Sequence, residues 1–380
     1  MTVYLDEAAT SPVRREVVEA MWPYLTGVFG NPASHHEVGA AARAGLDQAR
    51  REAAAVLGVR PGELTFTSGG TEGANAAVKG LALAAPRGRH VVVSAVEHPA
   101  VLESARWLAR WGFDVDEVGV DAHGTVTPEA LDAVLRDDTT LVSVQLASNE
   151  VGTVQPLAAL AAVAARRGVP FHTDAVQAAP WLALDPAALG VQALSISGHK
   201  FGTPKGSGLL WVDRRTPCEP LLHGGGQQDG RRSGTEDVAA AVGLAAALRL
   251  AATDRDAEAA RVAALRDAFV AHVLDAVPGA ALTGHPVDRL PGHSSFVLPG
   301  VSGEAALVGL EERGVVCSSG SACAAGSDEP SHVLTAMGLP REVAQTAVRL
   351  TFGRGATAEQ LEHAATTLAA VVGRLRPAAG

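Results

Sequence analysis

The sequence predicts an α/β protein, with a mainly parallel, doubly wound sheet in a large domain and a smaller α+β domain beside it. Three observations predict it. Strand-like runs rich in β-branched residues alternate with alanine-rich helical ones from about residue 63 to residue 212. Several of those runs end in clusters of small and polar residues, where open α/β sheets bind their ligands. From residue 238 to about residue 277 the composition turns strongly helical with few breakers, which makes one long element that connects the large unit to the second.

The elements follow in order. A β-rich run at 64–67 meets a glycine pair and then an alanine-rich helical stretch. Strands are predicted at 90–95, 141–146, 170–174 and 207–212, and the apolar run 190–196 reads as a buried strand, with 193–197 at its end. The second unit contributes a strand at 294–298, a helix over 303–313, a loop holding Cys323 and a terminal helix beginning near Thr357. There is no internal repeat and no heptad pattern.

Composition excludes several functions. A chain of 380 residues supports one large domain and a smaller one around a core of ordinary size. A net charge of −10 with 4% aromatic residues argues against direct nucleic-acid binding as the main role. The start Met1-Thr2-Val3-Tyr4-Leu5-Asp6 has neither basic residues nor a long apolar run, and no uncharged stretch is long enough to span a bilayer, so a soluble, cytoplasmic protein without membrane partners is expected. Cys218, Cys317 and Cys323 form no CxxC pair and are too few for a disulfide framework, which suits a reducing compartment.

The chemistry concentrates in a few segments. In Ser197-Gly198-His199-Lys200-Phe201-Gly202 a lysine stands where an apolar strand ends in tight loop punctuation. Partial desolvation there favours a neutral amine able to form a Schiff base. Upstream, Phe171-His172-Thr173-Asp174 ends another strand in a carboxylate; a lone aspartate at such a place is more often a helix cap. With Lys200 on the same sheet end, however, it suggests pyridoxal phosphate, the carboxylate keeping the pyridine nitrogen protonated and the lysine carrying the aldehyde carbon. Ser68-Gly69-Gly70-Thr71 at a helix start is a ready phosphate seat of backbone N–H groups and a hydroxyl. It lacks the lysine of a Walker loop and the spacing of a dinucleotide fingerprint.

Together with Glu97-His98-Pro99, Ser148-Asn149-Glu150-Val151-Gly152, Arg231-Arg232-Ser233-Gly234-Thr235-Glu236, Tyr4-Leu5-Asp6 and Val348-Arg349-Leu350, these segments make nearly the whole chain resemble the cysteine desulfurases of the NifS/IscS type. The resemblance implies the fold type I of pyridoxal-phosphate-dependent transferases. It also implies a large domain over 13–256 and a small domain built from 1–12 and 257–380. The cofactor contacts it implies are Gly70, Thr71, Ser197 and His199 at the phosphate, Asp174 at the ring nitrogen, Gln177 and Asn149 at the phenolic oxygen, His98 on the ring face and Lys200 at the aldehyde carbon. Arg349, helped by Asn149 and Asn31, would hold the carboxylate of L-cysteine. Thr235 would reach the phosphate of a neighbouring subunit, which implies a homodimer.

Cys323 separates a desulfurase from other enzymes with this cofactor. Small residues crowd it on both sides and offer no apolar core to join, whereas Cys317 follows Val315-Val316 and reads as a small buried hydrophobe; Cys218 reads either as the same or as a solvent-exposed thiol. A thiol of ordinary acidity needs a proton acceptor or an electropositive site, for which His98 is the candidate. The implied reaction converts L-cysteine to L-alanine and leaves a persulfide on Cys323 for a sulfur-acceptor protein, an iron–sulfur scaffold or a thiolation enzyme. A selenocysteine lyase or an aminotransferase on the same fold is the alternative, and a subunit of a sulfur-transfer complex with mainly a binding role is another. Arg231 reads as solvated, and His35, His36, His123, His285 and His293 show no metal-ligand spacing and read as surface or hydrogen-bonded residues.

Overall fold

The computed structural model describes residues 2–84, 86–320 and 329–376. After the short strand β1 (Val3–Tyr4), helices α1 (Arg15–Thr26) and α2 (Glu37–Leu57) lead to strand β2 (Leu64–Thr67), helix α3 (Gly70–Ala84), strand β3 (His90–Ser94) and helix α4 (Pro99–Ala109). The strands β4 (Asp114–Val118), β5 (Thr139–Ser143), β6 (Phe171–Asp174), β7 (Ala193–Ser197) and β8 (Gly208–Val212) complete a seven-stranded sheet in the order β2-β8-β7-β6-β5-β3-β4. Strand β8 runs antiparallel to both of its neighbours, and the pairs from β7 out to β4 are parallel.

Most predicted strands form within a residue or two of their expected limits. One, β4, was not anticipated: Asp114-Val115-Asp116-Glu117-Val118 is acidic and half exposed at the sheet edge, so it carries no run of core residues to announce it. The run expected to be a strand from Gly190 begins only at Ala193, because Gly190 adopts φ +75° to end the short helix Pro186–Leu189.

Beyond the sheet, the long helix Val238–Ala276 feeds two cores. Its first turns, from Val238 to Leu248, pack with α1, α2 and the sheet. Its later residues Val262, Phe269 and Val273 join a second core with strands β10 (His293–Val297) and β12 (Ala347–Thr351) and the terminal helix Ala358–Leu375. The short β9 (Ala281–Leu282) flanks β10, and β11 (Val315–Val316) pairs in parallel with β1. Val3 and Leu5 are buried in that second core, so the first residues of the chain close against its last third. Among the described residues, no helix is long and apolar enough to cross a membrane.

Candidate active site

Strands β2, β3, β5, β6 and β7 point their carboxyl ends the same way, and the turns that follow them line one cavity of about 1150 Å³. Gly70 and Thr71 follow β2, His98 follows β3, Asn149 follows β5, Asp174 and Gln177 lie at and after the end of β6, and Ser197, His199 and Lys200 lie at and after the end of β7. Arg349 enters from β12. Residues some 130 positions apart along the chain thus converge because parallel strands place equivalent ends side by side.

The N-terminal segment holds the lysine. Lys200 Nζ donates to the carbonyl oxygens of Ala8 and Ala9 at 2.7 and 2.8 Å, and Gln177 Nε2 donates to Ala8 at 2.9 Å. The turn itself is pinned by the Ser11 amide, which donates to the His199 carbonyl at 2.9 Å. Burial, then the charges of Lys200 and Lys205, lowers His199 to about 4, so its ring is neutral near pH 7.

Asp174 is almost fully buried, and burial raises its carboxyl to about 6, against the pull of the Val176 amide and of Lys200. A cationic N–H placed against it would lower it again and favour the ionised form. Behind it lies Glu97, fully buried and pushed well above the usual carboxylate range by burial and by the charge of Asp174. Its Oε1 accepts from the Gln145 amide, while Oε2 is buried with no hydrogen-bond partner among the described residues. In the sequence Glu97 stands out only as the neighbour of His98. Its signal was a carboxylate inside Val96-Glu97-His98-Pro99, a segment too apolar to solvate it.

At the start of α3 the backbone approaches closely. Gly69 has φ +152°, and a Cβ on Gly70 would meet Val176 Cγ2 at 2.7 Å and Ser197 Cβ at 3.3 Å. The first-turn amides and the hydroxyls of Thr71 and Ser197 can therefore surround an anion. Glu72 stands next to this seat. Burial raises its carboxyl, but bonds from Arg232 and Ser68 outweigh that and hold it below the ordinary range. The Arg232 Nε–Glu72 contact, at 2.9 Å, balances that charge. Arg231, expected to be solvated, is instead half buried, with Nη1 enclosed and without a partner among the described residues, because it turns into the small pocket around Cys218.

Arg349 is 1% exposed. Its Nη2 pairs with Asp6 Oδ1 at 2.6 Å and Nη1 donates to the carbonyls of Asn149 and Gly320, which leaves Nε as a buried donor without a partner among the described residues. Two further residues that the sequence did not single out, Glu150 and His332, line the same cavity. Two expected residues do not: Asn31 is exposed, with its side chain bonded to the Ala33 amide, and Thr235 is exposed beside a separate pocket with Ser68 and Gly206. Cys323 lies outside the described residues. Cys218 and Cys317 pack against hydrophobic cores, and burial raises them to about 11 and about 12. Among the described residues no cluster of metal ligands occurs.

A mainly parallel sheet whose strand ends bring together a lysine, a buried aspartate and an anion seat fits a class-V aminotransferase, and residues 3–363 match the protein-family model described as "Aminotransferase class-V". The chain is 42% identical to "Cysteine desulfurase IscS" of Methanosarcina thermophila, across 98% of this chain and 93% of that one. It superposes on a solved "NIFS-LIKE PROTEIN" with a TM-score of 0.92 at 34% identity, covering 99% and 100% of the two chains. A solved structure described as "SspA in complex with cysteine" matches with a TM-score of 0.81 at 33% identity, covering 93% and 99%. The chain belongs to the cysteine desulfurase family of the IscS/NifS type within that class.

Proposed function

We propose that the chain converts L-cysteine to L-alanine and carries the released sulfur as a persulfide on Cys323, with pyridoxal 5'-phosphate as its resident cofactor. The convergence of Lys200, Asp174 and the Gly69-Gly70 seat on one cavity carries this reading. The residues present fit that group: the glycines leave room that a Cβ would fill, and Asp174 is a buried carboxylate in need of a cationic partner. Gly70, Thr71, Ser197 and His199 would hold its phosphate, Asp174 its ring nitrogen, Gln177 and Asn149 its phenolic oxygen and His98 its ring face. When bound, pyridoxal phosphate supplies an aldehyde carbon for the lysine amine and a ring that withdraws electrons from the substrate α-carbon.

The protein's own groups do the rest. Arg349 lines the cavity and would hold the substrate carboxylate, with Asn149 beside it. Lys200 takes the α-proton. The Cys323 thiolate attacks the substrate sulfur; a sulfur–sulfur bond forms as the carbon–sulfur bond breaks, its electron pair passing to carbon. Sulfur then moves to an acceptor protein, an iron–sulfur scaffold or a thiolation enzyme, in the reducing cytoplasm where a free thiol persists. Asn31 and Thr235 stand away from the cavity, so the roles that family likeness gives them call for a homodimer in which a second copy brings Thr235 to the phosphate.

The test is to mix purified holoprotein with L-cysteine, quantify alanine and map the persulfide by mass spectrometry. Lys200→Ala should abolish alanine release and the visible cofactor band of the resting protein. Cys323→Ala should abolish release from L-cysteine; continued turnover would favour an aminotransferase or selenocysteine lyase instead.

A further inference from the structure

A second cavity, of about 280 Å³, lies across the N-terminal segment from the active cavity. Ala8, Gln177 and Lys200 border both, so the two share one wall. The second cavity opens at the seam between the two cores, where Trp181 packs against each of them. Trp181, Phe201 and Phe352 give it aromatic walls.

Its charges are unevenly balanced. At the rim they cancel in pairs: Arg14 and Arg354 both meet Asp254, at 3.7 and 2.6 Å, Arg255 meets Asp256 at 3.2 Å, and Glu258 meets Arg261 at 2.9 Å. Glu7 has no such partner. Its carboxyl lies against Gly353, where a Cβ would collide with both oxygens, and it accepts from the Gly353 amide. Burial raises it to about 7 against that bond, and no cation acts on it among the described residues. The two basic residues on the inner wall are committed elsewhere. Lys200 Nζ donates to the carbonyls of Ala8 and Ala9. His293 donates from Nε2 to the Asn149 carbonyl at 3.1 Å, and burial, then the charge of Arg349, keeps its ring neutral near pH 7. A carboxylate enclosed without a counter-charge is costly, and one set among aromatic faces has the chemistry that recognises organic ammonium ions.

We propose that this cavity is a second binding site, for a small organic cation: an ammonium ion with an aromatic or aliphatic body, its charge met by Glu7 and its body lying against Trp181, Phe201 and Phe352. The site goes beyond the desulfurase reading and does not depend on it. An occupant would touch the segment whose carbonyls hold Lys200, because Ala8 belongs to both cavities.

The test is calorimetric titration of the holoprotein at pH 8 with benzyltrimethylammonium chloride, a cation that has no N–H and so cannot condense with an aldehyde. Benzyl alcohol and sodium benzoate serve as the neutral and anionic counterparts. The parent protein should bind the cation at one saturable site, the alcohol far more weakly and benzoate not at all. Glu7→Gln keeps the shape and removes the charge, and should weaken binding of the cation on the order of 10-fold. Val13→Trp, at a wall position that is 44% exposed, should fill the cavity and abolish binding, and it carries the comparison should Glu7→Gln fail to fold. Absence of binding to the parent protein overturns the proposal. So does equal affinity in the parent and both variants, which would place the probe in the first cavity, and so does tighter binding of benzoate than of the cation, which would assign the site to the rim arginines. None of these readouts uses alanine release, so failure of the desulfurase reading would be seen separately.

Discussion

The guanidinium of Arg349 meets the carboxylate of Asp6 at 2.6 Å, joining β12 to the N-terminal segment that carries the carbonyl partners of Lys200. The arginine side chain is 2% exposed and the aspartate 19%, so the pair is desolvated on one side. Removing one partner of such a pair strands a buried charge, and Asp6→Ala should lower unfolding free energy by about 3 kcal/mol in urea titrations. Arg349→Lys, which loses the planar fork, should raise KM for L-cysteine more than it lowers kcat. An unchanged urea midpoint in Asp6→Ala would show that the pair adds nothing to stability.

Thiol reactivity should follow burial. Burial raises Cys218 to about 11 and Cys317 to about 12, so at pH 8 both are overwhelmingly protonated and unreactive. Limited iodoacetamide at pH 8 should therefore label Cys323 first. Labelling of Cys317 ahead of Cys323, read by peptide mass, would contradict the assignment of the nucleophile.

Acid should weaken the sheet through His172. Burial lowers this imidazole to about 3, and its nitrogens are bonded to Ser143 Oγ and Ser195 Oγ at 2.8 and 3.2 Å. The folded ring stays neutral while the unfolded chain takes up a proton near pH 6.5, so the unfolded state gains protons, and stability falls, as pH drops from about 6.5 toward about 3. Above pH 6.5 this group contributes no slope. The loss from this group approaches about 1.4 kcal/mol per pH unit, and His172→Gln should flatten it in urea melts at pH 7.5, 6.0 and 5.0. Parallel curves for the two proteins would rule the effect out.

The anion seat should be sensitive to a single methyl group. A Cβ at position 70 comes within 2.7 Å of Val176 Cγ2, a contact that forces Val176 to shift beside Asp174. Gly70→Ala should fold at a cost of about 1–3 kcal/mol and bind pyridoxal phosphate on the order of 10-fold more weakly, measured by dialysis and absorbance. Wild-type affinity would mean that the seat is not filled by phosphate.

Much of this was legible in the chain itself. Runs of apolar and β-branched residues located β3, β5, β6, β7 and β8 because all five strands are buried, β8 included although it runs antiparallel to its neighbours. Lys200, Asp174 and the glycine pair stood out because each interrupts such a run with a residue type that a core has no use for. What local pattern could not contain is contact between distant segments. The acidic edge strand β4 owes its place to pairing with β3. Glu97 became a fully buried carboxyl held well above its usual range, and Glu150 and His332 became neighbours, only once β3, β5 and the segment after residue 328 were brought together. The order of apolar and polar residues along the chain decided which strands form and which ends carry chemistry, since burial periodicity is a local property. Protonation states, tautomers and the partners of Arg349 were decided by the tertiary structure, since desolvation and hydrogen bonding depend on what the rest of the chain places alongside.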